Sequence, residues 1–153
     1  MASRLDYLFP ATADHVDHIG RRLRAEHVRE VASGTRVSPL TALRLSLKGS
    51  AVAYAAVIGG VPVFVMGAMP AGVVTGCAEV WMLGTEDIDR HPARILRAGR
   101  WGVAEAYRAT GALRLEQWIP SWYETGIRFV ERLEFVPHHG GDVVHVVHDR
   151  RIL

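Results

Sequence analysis

The sequence has one cysteine, one lysine and no long apolar run, and each scarcity narrows what the chain can be. Cys77 alone cannot close an internal disulfide, which fits a reducing compartment. No stretch approaches the ~18 apolar residues that span a bilayer. The most apolar segment, 51–74, is interrupted by Gly59, Gly60, Pro62, Gly67 and Pro70 and reads as paired strands. The opening Met1-Ala2-Ser3-Arg4-Leu5-Asp6 lacks the charged-then-apolar layout of a secretory leader. Lys48 is the single lysine among 18 basic residues, and with 16 acidic residues the net charge is only +2. The arginines are dispersed. Their densest cluster, Arg21-Arg22-x-Arg24, is followed closely by Glu26 and Glu30, so there is no basic stripe with interleaved aromatics of the kind a nucleic-acid surface needs. The expectation is a cytoplasmic protein with neither a membrane nor a nucleic acid as partner.

What is present is one domain's worth of alternating elements. At 153 residues, a single domain covering 1–153 buries roughly 70% of its chain surface. Residues 4–9 read as a short strand ended by Pro10. Thr12 caps a helix with Asp14 in its first turn, and Val16, Ile19, Leu23, His27 and Val28 continue at helical spacing. Ser38-Pro39 opens a second helix to about 48. Strands 51–58 and 61–69 flank Gly59-Gly60, a hairpin signal. The near-continuous apolar run 77–83 predicts a central strand. Pro92 starts the longest helix, 92–109, whose seam Ile95, Gly99, Gly102 and Ala106 is small enough to sit close on a sheet; Gly111 stops it. Residues 113–119 read as a strand, Ser121 and Glu124 as a capping box for a further helix, and 135–136 with 143–147 as closing strands around Gly140-Gly141-Asp142. The class is α+β.

The order β, α, α, β-β-β, α-β-α-β-β resembles that of the GNAT (acetyltransferase-like) superfamily, whose fold is a mixed, mainly antiparallel sheet flanked by helices. Glu79-Val80-Trp81-Met82-Leu83-Gly84-Thr85 and the Pro92 helix resemble the family's acetyl-CoA motif; Ile127-Arg128-Phe129-Val130-Glu131-Arg132-Leu133-Glu134-Phe135 resembles its closing signature. More narrowly, the Trp81-Met82-Leu83-Gly84-Thr85 strand, Ile127-Arg128-Phe129, Pro10-Ala11-Thr12-Ala13-Asp14 and Glu26-x-x-x-Glu30 resemble a branch in short-tailed phages described as internal virion or assembly proteins. That branch implies phage structural proteins, or the chain itself, as partners, and a place in the host cytoplasm or the virion. The wider family implies acetyl-CoA as cofactor, with Met82, Leu83 and Gly84 on its binding strand.

The chain departs from the family at two places. The loop that presents glycine N–H groups to the CoA diphosphate is here Glu86-Asp87-Ile88-Asp89-Arg90-His91-Pro92, with three carboxylates, no glycine and a proline that removes a donor. The tyrosine that protonates the departing thiolate is replaced by Val130, with Tyr123 the nearby substitute, and the signature's glycine is Glu134. Two readings follow: an assembly protein whose acetyl-CoA chemistry is weakened or lost, or a working N-acetyltransferase acting on a small or protein amine. For the second, Glu79 is the leading base, since a carboxylate in an apolar strand has a raised pKa, and Glu116 the next. Arg90, Arg94 and Arg97 share a helix face that could hold a phosphate; the alternative is a solvated face balanced by Glu86, Asp87 and Asp89.

Other residues read as structural. His145 and His148, three apart in a strand, point to opposite faces and make no closed metal set. Cys77 reads as an inert strand thiol. Trp81, Trp101, Trp118 and Trp122 read as packing residues, with Trp101 turned away from the glycine seam.

Overall fold

The structure, a computed structural model, describes residues 4–152. Its seven strands form one sheet in the order β1-β2-β3-β4-β5-β7-β6. These are β1 (Leu8–Pro10), β2 (Val52–Ile58), β3 (Val61–Ala68), β4 (Cys77–Gly84), β5 (Arg114–Pro120), β6 (Val136–Gly140) and β7 (Val143–Asp149). Every neighbouring pair is antiparallel except β4–β5, which is parallel. The mixed, mainly antiparallel sheet of the expected class is therefore observed. Gly59 and Gly60, both at positive φ, turn β2 into β3. No helix among the described residues is long and apolar enough to cross a membrane.

Alternation along β3 and β4 sends side chains to two helix layers. Val65, Trp81 and Leu83 meet α1 (Ala13–Gly20), α2 (Ala25–Gly34) and α3 (Pro39–Gly49) through Val16, Ile19, Val31 and Leu43. Phe64, Met66, Ala78 and Met82 meet α4 (Pro92–Thr110) and α5 (Glu124–Arg132) on the opposite face, through Ile95, Ala98, Val103, Ile127 and Val130. The glycine seam of α4 permits this close approach. A Cβ on Gly99 would lie 2.9 Å from Leu133 Cδ1, and one on Gly102 2.7 Å from Met66 Sδ.

Several boundaries differ from the sequence reading. The strand expected over 4–9 is reduced to Leu8–Pro10. The capping box at Ser121 and Glu124 does not form; α5 starts at Glu124 after Tyr123, with no side-chain cap. The largest difference is near the N-terminus, where one helical run expected through Val28 is two helices. Arg24 is extended (φ −61°, ψ 151°), its N–H donates to Gly84 O at 3.0 Å, and Leu23 bridges to Thr85. The chain between α1 and α2 is captured by the end of β4, and the helix restarts from there.

Candidate active site

The parallel pair β4–β5 is short. It holds only from Cys77↔Arg114 to Glu79↔Glu116, after which each strand stays paired on its other edge, β4 with β3 and β5 with β7, but the two no longer pair with each other. The two strands therefore diverge like a V, β4 over 80–84 and β5 over 117–120. Backbone groups alternate in direction along a strand. Thr85 N–H donates back to β3 while Gly84 N–H and C=O face away from it, so those of Val80 and Met82 also face into the V.

His27 of α2 closes the open end of this V. Gly84 N–H donates to His27 Nδ1 at 2.9 Å, and Nε2 lies 3.1 Å from Tyr123 Oη, just beyond β5. The imidazole is 2% exposed, and burial pushes its pKa down to about 4, so the ring is neutral. Gly84 O also lies 3.2 Å from Nδ1, but it already accepts Arg24 N–H, whereas Gly84 N–H can only donate and has Nδ1 as its partner. With Nδ1 assigned as acceptor on that ground, the ring proton sits on Nε2 and is donated to Tyr123 Oη. The tyrosine's own proton is then free to point elsewhere. Burial first, with Glu30 among the acids adding to it, pushes the Tyr123 hydroxyl up to about 12 despite Arg24.

A cavity of about 300 Å³ passes through the V from one helix layer to the other. On the α2 side it is lined by Arg24, His27 and Glu30; within the V by Val80, Met82, Gln117 and Ile119; on the α4–α5 side by Gly99, Gly102, Phe129 and Leu133. Glu30 is half-buried, and loss of water raises its carboxyl to about 7. Its carboxylate has no side-chain partner among the described residues, unlike the other acids nearby. Arg24, 7% exposed, is held by Glu26 at 3.1 Å and Asp89 at 3.3 Å.

The residues singled out from sequence are divided by this geometry. Tyr123 and Met82 line the cavity, and Gly84 lies at its closed end on His27. Leu83 points to the α1–α3 core. Glu79 and Glu116 form the last β4–β5 pair, outside the cavity lining. Glu79 is exposed, its carboxyl raised by partial burial and by Glu116; Glu116 bonds His145 Nε2 at 3.0 Å. Arg90, Arg94 and Arg97 are exposed and outside the lining; Arg90 pairs with Asp87 at 3.1 Å and Arg94 lies over the Tyr7 ring. His148 is buried against Tyr107, while His145 stacks on Trp118 on the other face. Cys77 is half-buried at the start of β4.

Sequence reasoning passed over Glu30, His27 and Arg24. Glu30 entered as a counter-charge to the arginine cluster and in the Glu26-x-x-x-Glu30 resemblance, not as a site residue. The signal available was a histidine on the apolar side of a helical run with a glutamate about one turn after it, i to i+3.

No family model matches the chain, and no curated protein matches it by sequence. Solved structures do match it. The GNAT domain of S. lividans PAT superposes with a TM-score of 0.73 at 17% identity, over 93% of this chain and 89% of that one. The overall shape is decided by that match. The fold is that of the GNAT acetyltransferases. The aminoglycoside acetyltransferase AAC(6')-Ib, solved with coenzyme A, is similar at a TM-score of 0.67 and 14% identity, over 94% of each chain. A spermidine N-acetyltransferase SpeG chimera from Vibrio cholerae and hSSAT is similar at 0.68 and 8%, over 95% of each.

The residues of this GNAT fold suit one part of an acyl-CoA better than another. The open β4 edge at Val80 and Met82 and the apolar wall of Phe129 and Leu133 suit an extended acyl arm. The diphosphate end has fewer donors, because Pro92 lacks an N–H and His91 N–H is used by Ile88 O.

Proposed function

We propose that the protein is an acetyl-CoA-dependent N-acetyltransferase in which Glu30 is the general base and Tyr123 the general acid. One observation carries this reading: a carboxylate without a partner and a tyrosine held by a neutral histidine share one cavity in the open β4–β5 V. Val80 and Met82 would hold the acyl arm by their main chain, with Phe129 and Leu133 as its apolar wall. Bound acetyl-CoA supplies the activated thioester.

Glu30 takes one proton from the acceptor's ammonium, so the free amine can form the N–C bond as the C–S bond breaks. Tyr123 Oη gives its proton to the departing sulfur and recovers one from the amide nitrogen. One proton per turnover leaves through Glu30. His27 holds the tyrosine oxygen throughout, by donating Nε2–H to it. A base near neutrality is poised to act at cellular pH, and burial in the cavity lowers the amine's own pKa toward it.

Calorimetry with acetyl-CoA, followed by thiol release in the presence of amines, tests the reading. Glu30→Gln and Tyr123→Phe are each expected to lower kcat by about 10²-fold or more while leaving acetyl-CoA affinity close to wild type. Activity of the wild type should rise with pH through about 7, as Glu30 ionises. Absence of acetyl-CoA binding at near-millimolar concentration would remove the proposal. The virion-assembly role implied by the phage resemblance rests on sequence motifs, and no geometric observation adds to it. Co-sedimentation with phage particles would test it directly.

A further inference from the structure

Because α2 closes the open end of the V, it has to be seated on both arms. On the β4 arm the ties run largely through the main chain. Arg24 N–H donates to Gly84 O at 3.0 Å, Gly84 N–H to His27 Nδ1 at 2.9 Å, and Ala25 N–H to Glu86 Oε1 at 3.2 Å. On the β5 arm, among the described residues, the polar and aromatic ties come from two consecutive side chains. Tyr123 Oη meets His27 Nε2 at 3.1 Å, and the Trp122 ring carries the Arg29 guanidinium 3.9 Å from its centre. That dipeptide is itself fixed. Tyr123 N–H donates to Pro120 O and Ser121 N–H to Asp142 O, each at 2.9 Å, and Trp122 packs on the core that includes Ile127 and Val130. Arg29 has no carboxylate partner among the described residues, so its weakly hydrated cation rests on the indole face.

Glu30 follows Arg29 directly, and no side chain among the described residues fixes its carboxylate. Its place on the cavity wall is therefore set by how α2 is seated. Resting on the acetyl-transfer reading, we infer that Arg29 and Trp122 are positioning residues, whose cation–π contact holds α2 onto the β5 arm and keeps Glu30 on the cavity wall. Neither residue lines the cavity itself. Sharing α2 or the cavity with Glu30 are Arg24, Glu26, His27, Asp89 and Tyr123, with Glu105 and Arg132 across the sheet. Burial, and none of these charges, raises the Glu30 carboxyl from 4.5 to about 7. The ionised form therefore favours an unseated, hydrated α2 by about 300-fold, at tenfold per unit of that difference. The seat is pulled hardest when Glu30 is ionised, which is when the reaction needs it in place. An exposed cation–π contact shifts such an equilibrium by about two- to fivefold.

Arg29→Gln in the full chain tests this. It is read by carbon NMR titration of the Glu30 carboxyl without acetyl-CoA, and by the pH dependence of thiol release with it. The sign of the shift is decisive. Removing a cation that acts only through its charge raises a neighbouring carboxyl's pKa. Removing a clamp admits water and lowers it. The Glu30 midpoint is expected to fall by about 0.3–0.7 unit, the two- to fivefold contact expressed in pH. At pH 8, kcat is expected to fall by about two- to fivefold, with the acid limb of its profile moving down alongside. In a Trp122→Leu background the substitution is expected to add no further shift, because the contact is already gone. Should Trp122→Leu fail to fold, Arg29→Gln alone decides by its sign. An unmoved or raised midpoint overturns the inference, and so does a lowered kcat without the shift. If the midpoint falls while the wild type fails to bind acetyl-CoA, the acetyl-transfer reading is lost and the seating role of Arg29 stands.

Discussion

Glu30→Gln should make the protein more stable, by an amount that depends on pH. The Glu30 carboxyl has an ordinary value of 4.5 and is raised to about 7 in the folded chain by the loss of water around it. Between those values the native state holds a proton that the unfolded chain has released. Stability is therefore lost as pH rises from about 4.5 to about 7, and the loss is complete above the folded value. At 1.36 kcal/mol per unit, the carboxylate costs the fold about 3 kcal/mol at pH 8 and under about 1 kcal/mol at pH 5. Glutamine has the same shape and no charge to desolvate.

Urea denaturation followed by tryptophan fluorescence, at both pH values and for both proteins, measures the effect. The stability difference between Glu30→Gln and wild type is expected to grow by about 2.5 kcal/mol from pH 5 to pH 8. Any packing or hydrogen-bonding difference between Gln and Glu is independent of pH and drops out of that change. His27 acts in the opposite direction, since burial lowers its pKa from 6.5 to about 4 and stability falls as pH drops through that window. It is present in both proteins and cancels as well. A difference that stays flat across the range would refute the reasoning, because the carboxylate would then be in water and not on the cavity wall. The combination of a gain in stability with a loss of turnover would mark Glu30 as a group kept for chemistry against the interest of the fold.

Two further outcomes are expected. Glu134 sits at φ 70°, the left-handed region, where the resembling family signature carries glycine; Glu134→Gly should raise stability by about 0.5–1 kcal/mol, the relief of Cβ strain less the entropy of glycine, read as a shift in Tm. Glu79→Gln and Glu116→Gln should each leave kcat within about threefold of wild type, since neither lines the cavity; a fall of the size expected for Glu30→Gln would return the base to β4.

The secondary elements were largely legible because their signals are local. Ser38-Pro39 does start α3, Pro92 does start α4, and Gly59-Gly60 does turn β2 into β3. The site was less legible because its parts are joined by pairing that stops. Nothing in 77–84 or 114–120 states that the ladder ends at Glu79↔Glu116, and without that end there is no V to fill. The break between α1 and α2 is likewise non-local. Helical spacing runs on through Leu23, but Arg24 N–H finds Gly84 O, 60 positions along the chain, and the local preference yields. Tyr123 was found because it stands close in sequence to the family's tyrosine position; Glu30 and His27 were not, because α2 reaches the cavity only through that break.

The acidic turn 86–90 reads one way by motif and another by its contacts. Set against a glycine-rich diphosphate loop, Glu86, Asp87 and Asp89 look like decay. In the folded chain two of them fasten α2: Glu86 Oε1 accepts Ala25 N–H at 3.2 Å, and Asp89 holds Arg24 at 3.3 Å. The helix so fastened carries His27 and Glu30 into the V. The two interpretations make opposite predictions for the double variant Glu86→Gly, Asp89→Gly. If the turn is a decayed cradle, the glycines restore backbone approach and acetyl-CoA binds more tightly, with the amine side unaffected. If the turn is a fastener, acetyl-CoA affinity stays close to wild type while amine KM rises and kcat falls. The Gly84 amide, whose partner is His27 Nδ1 at 2.9 Å, should then lose protection against hydrogen exchange. Each contact involves a partly exposed carboxylate, so the loss per contact is about 1 kcal/mol, and the Gly84 amide should exchange about tenfold or more faster. Unchanged exchange at Gly84 together with tighter acetyl-CoA binding would show that the acids displaced a cradle and built nothing in its place.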